Sequence, residues 1–436
     1  MDNATYSKID QITQRILNGG EMNTEEGRWM IHLDDDVTPW LMASADRIRK
    51  AFRGNQIEVC AISNVRSGNC SENCNFCSQS GHHKTDAPAY DYIATEDLVA
   101  QAKQAREWGA SDFGVVSKGW GLRSDKESEK LEEYFNAMDD GSDIGRCASL
   151  GALNKDSASK LKNIGMENYH HNLECAESYF DEVCTSHTYQ ENIDTINNAR
   201  EAGLRVCAGG ILGMGESLDQ RIEMAETLRK LNVESVPLNF LSPVIGTPMA
   251  KQTPMQPYEI LRAIATYRFM LPKAEIRIAG GRQHLGDMQS MIFMAGASGV
   301  MIGDYLTTKG RSVNKGHIGC TRAGSVTYTT RFTSGRCTRI KVDWRGHTQT
   351  VRIGRVATVG KILHTGNFIT LTVVPGTDHV GCVIRICNGL VKGTRSTLFT
   401  RQCNTPCTDV GRSTRITGTL LPQWHGDQMT FPNQCF

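Results

Sequence analysis

Eight short runs of apolar and β-branched residues constrain the fold of this chain more than any other feature. They are "IEVCAIS" (57–63), "DFGVVS" (112–117), "IGRCAS" (144–149), "ENYHH" (167–171), "LRVCAG" (204–209), "SVPLN" (235–239), "EIRIAG" (275–280) and "GVMIG" (299–303). Each has the length of a strand, and most are followed by a stretch of helical period. In "TEDLVAQAKQAREWG", Thr95 is placed to cap the first turn, and Glu96 and Asp97 suit the positive end of the helix dipole. Leu98, Ala102 and Ala105 share one face, and Gly109 ends the helix. Eight strand–helix units predict an α/β fold, a TIM-type (β/α)8 barrel over residues 56–311, preceded by a helical region over residues 1–55.

Past residue 311 the pattern changes. Residues 312–436 hold 16 Lys and Arg against 4 Asp and no Glu, whereas the whole chain nets only +1. That asymmetry marks a segment of different origin. Its Thr, Val, Ile and Gly content predicts a β-rich or disordered piece. The lack of Glu with surplus Arg, Cys and Thr is also the composition a shifted reading frame produces. Cys382 with Cys387 and Cys403 with Cys407 make a weak zinc signal without nearby histidine pairs. Sparse aromatics argue against nucleic-acid binding. No run of about 18 apolar residues offers a membrane span, and the polar N-terminus is not a secretory signal. The expected setting is the cytoplasm, where 15 cysteines read as reduced thiols suited to metal or cluster ligation.

The chemistry-bearing motifs fall at strand ends, where barrel enzymes place their active-site loops. Cys70, Cys74 and Cys77, in "RSGNCSENCNFCSQS", follow the first strand. Three thiolates can hold three irons of a 4Fe–4S cluster and leave the fourth iron open to a ligand's amine and carboxylate. The C-x3-C-x2-C spacing matches the radical S-adenosylmethionine (SAM) signature. "GGILGMGE", with Gly209, Gly213 and Glu216, is a glycine-rich turn after strand 5, where backbone can approach a ligand. "YHHNLEC" gathers His170, His171, Asn172 and Glu174 at the end of strand 4. Asn239 ends strand 6, and its amide can both donate to and accept from a cyclic urea. Cys147, Cys207 and Arg277 lie on strands 3, 5 and 7, alternate strands that can point into one lumen.

Residues from about 40 to 311 resemble the biotin synthases, a family of radical SAM enzymes. The resemblance is carried by "SGNCSENCNFCSQS", "YHHNLECAESYF", "HTYQENIDTINNAREAGLRVCAGGILGMGE", "ESVPLNFLSPVIGTP" and "IRIAGGRQ". It implies that Cys70, Cys74 and Cys77 hold the 4Fe–4S cluster that cleaves SAM, and that the resulting 5′-deoxyadenosyl radical takes hydrogen from dethiobiotin. It puts Gly209, Gly213, Glu216, His170, Asn172 and Glu174 near SAM or substrate, and Asn239 against the ureido ring. Cys147, Cys207 and Arg277 fall on ligand positions of an auxiliary iron–sulfur cluster, 2Fe–2S or 4Fe–5S, that donates the inserted sulfur. A flavodoxin or ferredoxin electron donor and a homodimer are implied as well. The chain departs from the family where Gly114 replaces an auxiliary cysteine, where His170 replaces Asn and Glu174 replaces Asp, and where Cys184 replaces an aliphatic residue. Cys184 is expected to make good the lost auxiliary ligand if its segment folds inward.

Overall fold

The computed structural model describes residues 3–303 apart from 123 and 140–143, then residue 306 and nine strands between residues 327 and 429. Three helices lead: α1 (Asn3–Leu17), α2 (Thr24–Ile31) and α3 (Thr38–Arg53). Strands and helices then alternate as β1 (Glu58–Arg66), α4 (Thr95–Glu107), β2 (Asp112–Ser117), α5 (Asp125–Met138), β3 (Gly145–Ser149), α6 (Lys155–Asn163) and β4 (Asn168–His170). The series continues with α7 (Tyr189–Glu201), β5 (Arg205–Cys207), β6 (Gly210–Leu212), α8 (Leu218–Lys230), β7 (Ser235–Phe240), α9 (Pro257–Met270), β8 (Glu275–Ile278), α10 (Met291–Met294) and β9 (Gly299–Met301).

Every strand pairing among these is parallel, and the ring β1-β2-β3-β4-β5-β7-β8-β9 closes when β9 pairs back on β1. This is the eight-stranded barrel that the apolar runs predicted. Val65, Val115, Ala148, Tyr169, Val206, Val236, Ile276 and Val300 are all buried, which explains why the runs read as short and almost continuously apolar.

Barrel strand five is broken in two. Cys207 pairs with Ser235 of β7, and Gly210 pairs with Leu238 three places further along both strands, so the register holds across Ala208 and Gly209. Gly209 permits the close approach of the two strands there, because a Cβ would lie 1.9 Å from the carbonyl oxygen of Pro237. The apolar face of α4 is as expected, but its cap is not. The N-cap is Ala94, and Thr95 begins the helix and turns its hydroxyl to Glu133 of α5. Helix α3 packs on α9, and Arg262 of α9 ties the N-terminal helices down through the Ile31 carbonyl and Asp35.

Residues Thr321–Phe436 form a separate unit. Thr327–Arg331, Thr338–Trp344 and His347–Ile353 make one antiparallel sheet. Thr358–Thr365, Phe368–Val374, Cys382–Val391 and Thr394–Cys403 make another. Cys407 and the side chains of Cys382, Cys387 and Cys403 lie outside the described residues. No described helix is long and apolar enough to cross a membrane.

Candidate active site

A cavity of about 280 Å3 occupies the barrel interior, lined by the loop after β1 and by side chains from the strands. That loop doubles back on itself. The Cys70 amide donates to the Gln79 carbonyl and the Gly81 amide donates to the Cys70 carbonyl, both at 2.8 Å. The Gln79 side chain accepts from the Ser67 hydroxyl at 3.0 Å and the Gly68 amide at 3.3 Å. Gly68 has φ +71°, and a Cβ there would meet the Ala89 Cβ at 2.6 Å, so glycine is required.

The fold brings Cys70, Cys74 and Cys77 to the cavity wall. Burial pushes the Cys77 thiol up to about 11, and Cys74 is raised by its hydrogen bond with Cys184 as well as by burial. Protein alone therefore disfavours the Cys74 and Cys77 thiolates, and a cationic centre beside them reverses that cost. Among the described residues no group of His, Cys, Asp or Glu is placed to hold a single ion. Three thiols on one cavity wall are the ligand type an iron–sulfur cluster takes, so the donor set fits that group.

Asn73 and Asn75 strap this loop to the segment Glu182–His187. The Asn73 Oδ1 accepts from the amides of Thr185 at 3.0 Å and Ser186 at 3.1 Å, and the Asn75 amide donates to the Val183 carbonyl at 2.8 Å. Cys184 is thereby held 3.7 Å from the Cys74 sulfur. Its other partners are Asn73, Ser186 and the His187 Nδ1, and it does not line the cavity. The expectation that Cys184 joins the lumen set is corrected: the two asparagines draw its segment to the upper loop instead.

The C-terminal ends of β4 and β7 bring several polar side chains to the cavity. His170 and His171 line the cavity, and burial lowers each to about 4, so both are neutral imidazoles. Asn172 accepts from the Gly209 amide at 3.2 Å and donates to Glu174 at 3.3 Å. Glu174 has φ +66°, a conformation costly for a residue with a side chain, and burial raises its carboxyl to about 7. Asn239 accepts from the Gly280 amide at 2.8 Å and donates to the Gly210 carbonyl at 3.2 Å, leaving one N–H and one lone pair to face a ligand.

Of the residues expected beside a cofactor, Glu216 is hydrogen-bonded within its own turn. Glu216 accepts from the Gly213 and Met214 amides and from Arg221 Nε, each at 2.7 Å, and so braces its own turn. Gly209, Gly213 and Glu216 do not line the cavity; Ile211 of the same turn does. Helix α8 is capped by Ser217.

Deeper in the barrel the predicted trio does assemble, with an addition. Cys147 and Cys207 line the cavity with Arg277, and Cys60 of β1 joins them. Arg277 contacts Glu275 at 2.6 Å and Asp112 at 3.6 Å, while the Asn168 amide donates to the Cys147 sulfur at 3.3 Å. Burial raises Cys60 and Cys147, and raises Cys207 to about 12. At Gly114 a Cβ would sit 3.1 Å from Ile62 and 3.7 Å from the Cys147 Cβ. Cys60 lies on the neighbouring strand and pairs with Asp112, two residues before Gly114. The signal was a cysteine inside "IEVCAIS". Trp120 was also missed; it walls the cavity and stacks on His187 with ring centroids 3.7 Å apart.

A closed parallel barrel with three cavity-lining thiols after its first strand defines a radical SAM enzyme. The sequence pattern of the Radical SAM superfamily matches residues 64–228, and that of the Biotin and Thiamin Synthesis associated domain matches residues 237–324. A biotin synthase from Geotalea daltonii is 45% identical over 308 residues, covering 70% of this chain and 94% of the relative. One from Syntrophotalea carbinolica is 43% identical over 307 residues, again covering 70% and 94%. The chain belongs to the biotin synthase family. Among solved structures, methylornithine synthase superposes with a TM-score of 0.61 at 15% identity, covering 70% of this chain and 93% of its own. The FeFe-hydrogenase maturase of Carboxydothermus hydrogenoformans superposes with 0.58 at 22%, covering 68% and 71%. At those identities the likeness shows the shared barrel alone.

Proposed function

We propose that this chain converts dethiobiotin to biotin as a sulfurtransferase. The observation that carries the reading is a single cavity lined by two sets of thiols together with Asn172 and Asn239. Cys70, Cys74 and Cys77 would hold the 4Fe–4S cluster; Cys60, Cys147, Cys207 and Arg277 would hold the auxiliary cluster. When bound, the first supplies the electron that splits SAM and the second supplies the sulfur. Asn239, its amide fixed by Gly280 and Gly210, presents a donor and an acceptor to the ureido ring. Glu174, at about 7, can give or accept a hydrogen bond near neutral pH, which suits hydroxyl groups of a bound nucleoside. Glu275 and Asp112 hold the Arg277 guanidinium beside Cys60 and Cys207 before any cluster is present.

Electron delivery by a flavodoxin or ferredoxin, a homodimer and a cytoplasmic setting rest on the family alone. The test is anaerobic reconstitution with iron and sulfide, followed by SAM, a reductant and dethiobiotin. Biotin formation dependent on dethiobiotin is expected. Full iron loading and SAM cleavage with no biotin would refute the substrate.

A further inference from the structure

The cavity does not end at the thiols of the auxiliary set. It continues past them to the first residues of the strands, where Asp112, Asn168, Arg205, Glu234 and Glu275 line it. Side chains two apart on a strand share a face. Two places below Cys147, Cys207 and Arg277 on their own strands stand Gly145, Arg205 and Glu275, and two places below Gly114 stands Asp112. Barrels of this kind fill such a layer with bulky apolar side chains. Here these four strands supply two carboxylates, a guanidinium and a glycine instead. The glycine makes room for one of the acids, because a Cβ at Gly145 would meet an Asp112 carboxylate oxygen at 2.5 Å.

Arg205 and Glu234 line the cavity and are also exposed, so the cavity reaches solvent at the lower end of the barrel. The two stand side by side on the rim. Glu234 immediately precedes β7, β7 pairs with β5, and the Val206 amide donates to the Glu234 carboxylate at 3.0 Å. The other acids of this layer are turned to Arg277, Glu275 at 2.6 Å and Asp112 at 3.6 Å. Backbone at the rim is held, since the Arg205 amide donates to the Glu167 carbonyl at 3.0 Å. Cys207 lies two residue steps above Arg205, about 7 Å along the strand. Cys147 and Cys207 both keep part of their surface bare.

In the reading of function given above, the auxiliary cluster gives up sulfur to each biotin. A reaction that delivers inorganic sulfide must therefore resupply it, and sulfide in neutral water is largely an anion. The upper end of the cavity belongs to SAM and dethiobiotin in that reading, whereas the lower end sets a guanidinium in solvent. We propose that the lower end of the barrel is an inlet through which hydrosulfide reaches Cys147 and Cys207, with Arg205 as the rim residue that attracts it. The inlet passes the anion without making or breaking a covalent bond. It presupposes the auxiliary cluster of the reading above, but its test needs no biotin to form.

The test compares alkylation of individual cysteines in the full chain stripped of iron, by anionic iodoacetate and by neutral iodoacetamide, read by peptide mass spectrometry. The ratio of the two rates at each cysteine cancels that thiol's own reactivity. A charge that focuses anions at a cleft changes their entry by about 10-fold or more. Arg205→Glu should lower the iodoacetate-to-iodoacetamide ratio about 10-fold at Cys147 and Cys207 and leave it unchanged at Cys70 and Cys77. The fall should vanish at about 1 M salt, where charges are screened within ~3 Å. Arg205→Lys keeps the charge and should keep the ratio. With excess ferrous iron and limiting hydrosulfide, the full chain carrying Arg205→Glu should fill its auxiliary site with acid-labile sulfide about 10-fold more slowly than wild type. An unchanged ratio at Cys147 and Cys207, an equal fall at Cys70 and Cys77, an equal fall in Arg205→Lys, or equal sulfide uptake overturns the inlet. Wild type that takes up iron for one cluster only overturns the auxiliary-cluster reading, and the inlet with it.

Discussion

Replacing Glu216 by alanine tests whether its carboxylate serves the protein rather than a ligand. It accepts the Gly213 and Met214 amides and Arg221 Nε, all at 2.7 Å. Arg221 keeps a second partner in Glu259 at 2.7 Å, so the substitution does not strand a buried charge. What it strands is two amides, at about 1–3 kcal/mol each when buried and unpaired. Met214 is fully buried and Gly213 only partly, so Met214 takes the upper part of that range and Gly213 the lower. The sum is ~3–5 kcal/mol, and for a domain of this size each kcal/mol moves the melting midpoint by about 2–4 °C. Glu216→Ala should therefore lower Tm by roughly 10 °C. Glu216→Gln, with one oxygen left to accept, should lose about half as much. The assay is thermal unfolding of the cluster-free chain followed by circular dichroism. A midpoint within about 2 °C of wild type would show that water replaces the carboxylate and that the bracing argument is wrong.

Cys60→Ala should keep SAM cleavage while losing the auxiliary irons and biotin formation, leaving about four irons per chain by iron and sulfide assay. Cys184→Ala, lying outside the cavity, should keep the auxiliary irons; their loss would restore Cys184 to the lumen set. Glu174, raised to about 7 from 4.5, favours the protonated folded state, so its contribution is full below pH 4.5 and falls as pH rises through 7. In the cluster-free protein Glu174→Gln should flatten that loss, up to ~3 kcal/mol, in denaturant titrations across this window, and parallel curves would count against it. A chain ending at Cys320 should match the full chain in Tm and biotin yield, since the unit boundary lies there. A folded but inactive truncation would tie the later residues to the reaction.

The barrel was legible because each strand's burial is written in a local run, and Cys70, Cys74 and Cys77 because their spacing is local too. Cys60 was not, since its partners Cys147, Cys207 and Arg277 are brought to it only by ring closure. Strand alternation tells which face a residue takes, not its height in the barrel. Cys184 was misplaced because Asn73 and Asn75, more than 100 positions earlier, decide where its segment lies. Thr95 has a good capping side chain, but Glu133 on the next helix competes for its hydroxyl. Glu216 looked like a ligand group because a carboxylate in a glycine turn reads the same whether it holds a guest or the turn itself.

The two pieces of barrel strand five keep one register on β7, so a single stretch of backbone fixes two points of the cavity wall. Cys207 closes its lower piece on the auxiliary side, and Ile211 on its upper piece walls the cavity. Four residue steps at about 3.3 Å each set an upper limit of ~13 Å between those two points. That interval is part of the same continuous chain, with no hinge or side-chain linkage to stretch. One residue inserted after Gly209 would rotate Ile211 to the outer face and shift every later pairing with β7. The separation of Cys207 from Ile211 is therefore counted in residues, and an insertion alters it only in whole steps.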